Sequence, residues 1–290
     1  MSAALKKNKT APLVEGRPFE FTDADFKRVC ELVRKNTGIA LSDHKRDLVY
    51  GRLAKRLRVH KLDCFSAYCS LVENNPEAEL ESFTNAITTN LTAFFREDHH
   101  FKHLENTVLP TLVSGHNRNK RIRIWSAGCS TGEEPYSLAI SLRERIPDID
   151  SRDIQILATD LDSNVIRTAS AGIYTQERIE GLDEERQKRW FRKGKGANAG
   201  KVQVSPELAK LITFRQLNLM NTWPMKGVFD IVFCRNVVIY FDKETQKVLF
   251  DRFANAMPPN SNLFIGHSET LHNVCERFEL IGKTIYRKTR

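Results

Sequence analysis

Residues able to do chemistry cluster in a few short strings. Ala127-Gly128-Cys129-Ser130-Thr131-Gly132 runs directly into Glu133-Glu134-Pro135. Glycines at a strand-to-helix turn let a ligand approach the backbone closely. A dinucleotide fingerprint would need G-x-G-x-x-G with a pyrophosphate on the helix N-terminus, and only Gly128 and Gly132 are present. Two carboxylates at that place repel a phosphate and suit an amine or a cation. The string therefore favours a positively charged ligand without phosphate, or else a helix start capped by acidic side chains. Asp160 ends the next strand, where an acidic residue accepts ribose hydroxyls; a helix cap, shared with Asp162 or Ser163, is the other reading.

Further along, Phe233-Cys-Arg-Asn-Val-Val-Ile-Tyr-Phe241 sets Arg235, Asn236 and Tyr240 at the carboxyl end of an apolar strand. Open α/β sheets bind their ligands at that edge. Cys234 reads as a buried thiol, not a nucleophile. The Asn-Pro-Pro-Tyr turn of an amino-directed nucleic-acid methylase is missing. Thr88-Thr-Asn-Leu-Thr-Ala-Phe-Phe-Arg-Glu97 puts Asn90, Thr92 and Arg96 beside two aromatics, which spacing alone reads as a linker with an anchoring pair. His99 and His103 have an i, i+4 metal spacing, but with His100 they read as packing or solvent-facing histidines, so no metal is expected. His267 follows a strand on the ligand side and is a further candidate for the pocket wall.

These strings need a sheet to hold them. Arg121–Trp125, Ile154–Ala158, Leu211–Leu217, Phe229–Phe233 and Leu263–Ile265 read as strands. Glu133 to Arg145, the stretch after Ser163, and Lys243 to Ala256 read as helices. Phe278 to Arg287 reads as a closing hairpin. The alternation predicts a doubly wound α/β sheet. Residues 172–210 are too long for a plain crossover; they predict a small inserted antiparallel β-subdomain with Gly194, Gly196 and Gly200 in its turns. Before residue 120 the pattern is helical. Thr22 and Asp25 mark a first helix start, Ser42-Asp43 a second, Phe65 a third and Pro76 a fourth. The expected division is a flexible tail over 1–18, a helical domain over 19–90, a linker over 91–115 and an α/β domain over 116–290.

The chain has 290 residues, with 45 Lys+Arg against 36 Asp+Glu, a net charge of +9. Such a balance favours an anionic partner. No apolar run approaches the roughly 18 residues of a membrane span, and Met1–Gly16 lacks the apolar core of a secretory signal. The six cysteines form no CxxC pair and read as reduced thiols, so a cytoplasmic, monomeric protein without membrane insertion is expected. Lys45 to Lys61 carries seven basic residues and one acidic, with Lys45, Arg52, Lys55 and Arg56 on one helical face beside Val49, Leu53 and Leu57.

The combination of strings resembles the chemotaxis receptor methyltransferases, the CheR family. The matching segments are 88–96, 125–137, 233–241 and Gly266-His-Ser-Glu269, with His44–Tyr50 similar to the family's N-terminal helix. The resemblance covers roughly residues 20 to 287. It implies S-adenosylmethionine (SAM) as methyl donor, S-adenosylhomocysteine as product, and receptor glutamate side chains as acceptors. The family's SAM contacts fall on Asn90, Thr92, Arg96, Gly128, Glu134, Asp160, Asn218, Leu219, Arg235 and Asn236. Glu134 would then meet the amino group and Asp160 the ribose, while Glu133 is a helix-start charge. Arg96 and Tyr240 are expected to orient the acceptor carboxylate or the methionyl end. A glutamate is ionised at neutral pH, so no general base is expected. The basic face and the glycine turns at Gly194 and Gly196 are the expected receptor contacts, the latter for a C-terminal peptide seen to dock in some members. An RNA methyltransferase and a catalytically silent adaptor are the competing readings. Base-stacking aromatics are missing for the first, and the SAM residues are intact against the second.

Overall fold

The computed structural model describes residues 17–114 and 120–289. Apart from Arg17 and Pro18, the tail expected over 1–18 lies outside the described residues. The chain divides into two compact units: Met1–Asn36 with Ala40–Ile87, and Thr37–Ile39 with Thr88–Arg290.

The first unit is all helical. Helix α1 (Asp23–Thr37) opens on a capping box: Thr22 N donates to Asp25 Oδ2 at 3.0 Å and Asp25 N to Thr22 Oγ1 at 3.1 Å. Helices α2 (Arg46–His60), α3 (Phe65–Asn74) and α4 (Pro76–Ile87) follow. Val49, Leu53 and Leu57 of α2 are buried as the periodicity requires. One carboxylate, Glu79, is buried among them. It accepts from Arg56 Nε and Nη2 at 2.8 and 2.7 Å and from Tyr68 Oη at 2.6 Å, and His60 Nε2 lies 2.9 Å away.

The second unit is built on a seven-stranded sheet. Its strands are β1 (Ile122–Ala127), β2 (Ile154–Asp160), β6 (Ile212–Gln216), β7 (Ile231–Cys234), β8 (Asn262–Ile265), β9 (Phe278–Gly282) and β10 (Ile285–Lys288). A separate small sheet holds β3 (Ile173–Thr175), β4 (Phe191–Lys193) and β5 (Lys201–Val204). The large sheet runs β6-β2-β1-β7-β8-β10-β9; β1, β2, β6, β7 and β8 pair in parallel, and β10 is antiparallel to both neighbours. The expected doubly wound sheet is thus mixed at one edge. Residues alternate between two cores: Ile122, Ile124, Ile231, Phe233 and Phe264 face one, and Trp125, Ala127, Val232, Cys234, Leu263 and Ile265 the other. Helix α7 (Glu133–Arg145) packs in the first core and α11 (Lys243–Asn255) in the second.

Within the stretch 91–115, expected as a linker, residues 91–114 are structured. They carry α5 (His99–His103), a π-helical turn (Leu104–Val108) and α6 (Leu109–Val113). Phe101, Leu104, Val108 and Leu109 are buried in the first core, which makes the stretch part of the α/β unit. The 172–210 insertion is the expected antiparallel subdomain, with order β3-β5-β4 and a helix, α9 (Glu184–Trp190), before β4. Among the described residues no helix is long and apolar enough to cross a membrane.

Candidate active site

Strand order reverses beside β1: the chain steps outward from β1 to β2 and β6, then returns to place β7 on the other side. Crevices form at the carboxyl edge of such a switch point. The turn after β1 enters it tightly. Gly128 has φ +95° and a Cβ there would run into Val237 of the turn after β7. Gly128 N and Cys129 N donate to Thr159 O at 2.8 and 2.9 Å, which pins the turn to the end of β2.

Asp160 closes β2. Its Oδ2 accepts from Ser130 N at 2.8 Å and its Oδ1 from Asp162 N at 3.0 Å. Burial pushes its carboxyl up to about 6, against the pull of those backbone donors. Asp162, not Asp160, caps α8 (Ser163–Ala171), accepting from Asn164 N at 2.8 Å. Its other oxygen takes Thr88 Oγ1 at 2.7 Å and Asn90 Nδ2 at 2.8 Å, and Asn90 O accepts from Ser130 Oγ at 2.8 Å. Asn90 is therefore tied to the turn after β1 and to the turn after β2.

At the first turn of α7 the two glutamates separate. Glu134 accepts from Ser126 Oγ at 2.7 Å and from Arg235 Nη1 at 3.0 Å. Burial raises its carboxyl pKa despite the Arg235 charge. Glu133 opens α7 as the helix-start charge expected of it, and it is fully buried, with the inserted subdomain supplying its partner. Arg178 reaches in to pair with it, and Thr131 Oγ1 donates to it at 2.6 Å.

Arg235 sits just past β7 and is buried. Besides Glu134 it faces Glu97 at 3.4 Å and donates to Arg96 O, while its Nε is buried without a hydrogen bond. Glu97 in turn accepts from His267 Nδ1 at 2.8 Å and His267 N at 3.3 Å, with Asn236 Nδ2 at 3.5 Å. Burial would raise the Glu97 carboxyl, but His267 and Arg235 hold it down at about 2. Four non-glycine residues of these segments, Phe95, Glu97, Ser130 and Asn236, have φ between +49° and +58°. Such backbone costs free energy and gathers at functional sites.

Asn236 and the turn after it hang on one further carboxylate. Glu269 Oε2 accepts from Gly266 N at 2.5 Å and Asn236 N at 3.1 Å, and Oε1 from Val238 N at 2.9 Å and Ile239 N at 3.3 Å. Tyr240 ends that 3₁₀ turn half-buried. Arg96 is half-buried and its Nη1 donates to Leu91 O at 2.9 Å; Thr92 is half-buried. Past β6, Asn218 Oδ1 accepts from Met220 N at 2.9 Å and Leu219 is buried. The expected cofactor residues thus all lie in segments leaving the carboxyl edge or in the 90–97 string. Sequence reasoning missed Glu97, Glu269 and Arg178 as members; the first two stand inside the very strings quoted for the site.

Two other expectations look different in three dimensions. Arg56 is drawn into the Glu79 ion pair and Arg52 Nη1 donates to Ile87 O at 2.6 Å, whereas Lys45 and Lys55 stay exposed. Gly194 and Gly196 do flank the turn between β4 and β5. The histidines mostly pack: His100 is buried, its Nε2 3.0 Å from Thr284 Oγ1, and burial followed by the Arg235 charge pushes it down to about 3. Donor atoms of Glu97, His99 and His100 lie within 4.8 Å of one another, but the nearby Arg235 guanidinium opposes a bound dication.

The profile described as "CheR methyltransferase, all-alpha domain" matches residues 24–88, and "CheR methyltransferase, SAM binding domain" matches residues 90–287. The chain belongs to the CheR methyltransferase family. Among similar CheR proteins, the chemotaxis protein methyltransferase of Salmonella typhimurium is 42% identical over 290 residues, covering 99% of this chain and 98% of that one. Chemotaxis protein methyltransferase 2 of Pseudomonas aeruginosa is 42% identical over 277 residues, covering 95% and 97%. The Escherichia coli chemotaxis protein methyltransferase is 40% identical over 291 residues, covering 99% and 98%. This CheR chain is therefore a SAM-dependent methyltransferase with an all-helical domain ahead of the SAM-binding one. The residues at the switch point fit that donor: Asp160, Glu134 and Glu97 set three carboxylates there against the one guanidinium of Arg235, and the Gly128 turn leaves no room for a side chain.

Proposed function

We propose that this protein methylates glutamate side chains in the cytoplasmic helices of chemoreceptors, giving glutamate 5-O-methyl esters and S-adenosylhomocysteine. The observation that carries the reading is the cluster of Glu134 and Glu97 about the buried Arg235 at the carboxyl edge of the sheet, in a chain about as long as relatives named chemotaxis protein methyltransferases.

SAM supplies a methyl group on a sulfonium; when it passes to a carboxylate oxygen the S–C electron pair stays on sulfur and no proton moves. The chain's task is then to bind and align. Asp160 accepts ribose hydroxyls, and Glu134 accepts the amino group. Arg235 holds the methionyl carboxylate, its unbonded Nε being one free donor. Gly128, Asn218 and Leu219 line the nucleoside, and Asn90, Thr92 and Asn236 fix the surrounding turns. Arg96 and Tyr240 orient the acceptor carboxylate. Alignment of this kind supplies roughly 7–11 kcal/mol of a barrier, and exclusion of water strengthens the carboxylate–sulfonium attraction. The exposed cations Lys45 and Lys55 suit an acidic receptor bundle, with Arg52 beside them, and Arg56 serves its own unit. The β4–β5 turn with Gly194 and Gly196 is the proposed dock for a receptor peptide. Cytoplasmic placement as a monomer recruited to receptor clusters completes the reading.

Labelled SAM incubated with receptor-bearing membranes and, separately, with total RNA tests it. Label released as methanol by base from the receptors is the expected result. Stable label in RNA overturns the acceptor. Arg96→Ala and Tyr240→Phe should each slow transfer, Tyr240→Phe with SAM affinity held; wild-type turnover with unchanged SAM affinity in both removes their assignment.

A further inference from the structure

We propose that His267 is an acceptor-contacting residue: held by Glu97 at the carboxyl edge of the sheet, its imidazole donates from Nε2 to the carboxylate that receives the methyl group. The inference rests on the carboxylate-acceptor reading and adds to it a residue outside the SAM contacts.

Placement comes first. His267 follows β8 by two positions, on the edge that carries Arg235 and Asn236. Gly266 seats it against that turn, since a Cβ on Gly266 would stand 2.8 Å from Asn236 N. The ring is then oriented from one side only. Nδ1 and the backbone N of His267 both reach Glu97 Oε1, at 2.8 and 3.3 Å. The side chain is nevertheless 64% exposed. No hydrogen bond to its Nε2 is present among the described residues. A residue needed only for packing does not combine a two-point anchor with an open ring face.

Connection comes second. Glu97 stands 3.4 Å from Arg235 Nη2, and Arg235 Nη1 is 3.0 Å from Glu134. An unbroken row of polar contacts thus leads from solvent at His267 through Glu97 and Arg235 to Glu134, and His267 is its open end. The groups facing it are Glu97 directly, Arg235 and His100 through Glu97, and Glu269, whose Oε2 accepts from the N of neighbouring Gly266.

Chemistry comes third. Glu97 Oε1 takes the Nδ1 side of the ring, so Nε2 is the nitrogen left to face an acceptor. From there an N–H donates to the acceptor carboxylate, which is ionised at neutral pH. Loss of the contact should weaken acceptor binding and spare SAM, because His267 bonds neither Glu134 nor Asp160.

The test compares full-length wild type, His267→Ala and His267→Gln with labelled SAM and receptor-bearing membranes. S-Adenosylhomocysteine affinity is read in parallel by calorimetry. His267→Ala should raise the acceptor KM by about tenfold, the size of a lost hydrogen bond to a charged group. His267→Gln, which keeps a donor, should recover part of it. Product affinity should stay within about twofold of wild type in both variants. A wild-type KM in His267→Ala overturns the inference alone. So does a parallel loss of product affinity, which marks a structural role. Wild type that transfers no base-labile label overturns the acceptor reading and this inference with it.

Discussion

Two buried carboxylates, one in each unit, are treated in opposite ways. Glu79 in the helical unit is surrounded: Arg56 grips it with two nitrogens, Tyr68 donates and His60 stands within 2.9 Å. Burial would raise its pKa, but those partners bring it below its ordinary value. Glu134 in the α/β unit has Ser126 and Arg235 alone, and burial leaves its pKa raised. The cluster around it is also incomplete. Arg235 Nε, Glu97 Oε2 and His100 Nδ1 are buried without hydrogen bonds, three of the five such side-chain atoms among the described residues. Buried polar groups are nearly always satisfied unless something else is to complete them. The difference separates a charge closed by its own partners from charges that leave hydrogen-bonding positions unfilled.

The sharpest way to break this comparison is to remove the cation from each site. Arg235→Ala leaves Glu134 and Glu97 buried with no guanidinium, a loss of about 3–5 kcal/mol. Arg56→Ala leaves Glu79 with His60 and Tyr68, a loss of about 1–3 kcal/mol. Denaturant melts followed by calorimetry should show the larger destabilisation in Arg235→Ala, together with loss of SAM binding. Arg56→Ala should keep SAM affinity. Equal destabilisation in the two variants would mean that the Glu134 cluster is closed in solution.

Glu269 lies between the two cases. It is closed like Glu79, but by four backbone donors, and it sits beside the open cluster. Glu269→Gln keeps one acceptor oxygen and turns an amide donor towards two of those N–H groups. The expected cost is about 2–3 kcal/mol. Steady-state kinetics should show kcat falling more than SAM affinity, because Asn236 and the Tyr240 turn lose their anchor. A variant that melts early but turns over normally would make Glu269 a purely structural clamp.

Local pattern carried much of this molecule and long-range pairing did not. Helix α7 starts and ends where the sequence reading placed it, because Glu133-Glu134-Pro135 opens a helix and Arg143 and Arg145 close it in its last turn, although Glu133 to Leu142 are buried on every face. Strand β7 shows as an unbroken apolar run because both of its faces are covered. The 91–115 segment escaped because a π-helical turn at Leu104–Val108 shifts the spacing between Phe101 and Leu109, so no single period fits. Glu97 and His267 are 170 positions apart, and Glu133 and Arg178 are 45 apart. Nothing in either string announces its partner. A carboxylate beside Arg96 and another ending Gly266-His-Ser-Glu269 were visible as residue types, and only the sheet edge that gathers them gave them roles.

The most discriminating expected effect lies in pH dependence. Tyr68 Oη and Ser126 Oγ each donate one hydroxyl to a buried carboxylate, at 2.6 and 2.7 Å. Tyr68→Phe and Ser126→Ala should each cost about 1.5–3 kcal/mol, yet their pH dependence should part. Glu79 has a lowered folded pKa, so its contribution is full above the ordinary glutamate range and fades as pH falls through the lowered value. Tyr68→Phe therefore flattens the acid limb of the stability curve. Glu134 has a raised folded pKa, so the folded state holds its proton longer and stability falls as pH rises from the unfolded value through the raised one. Asp160, raised to about 6, acts in the same direction. Removing the Ser126 donor raises Glu134 further, so Ser126→Ala extends that decline upward in pH and weakens SAM binding over the same interval. Melting temperature against pH, with SAM titrated at each point, reads both limbs at once. If Ser126→Ala shifted only the melting temperature, by the same amount at every pH, Glu134 would be as closed as Glu79 and the contrast between the two carboxylates would fail.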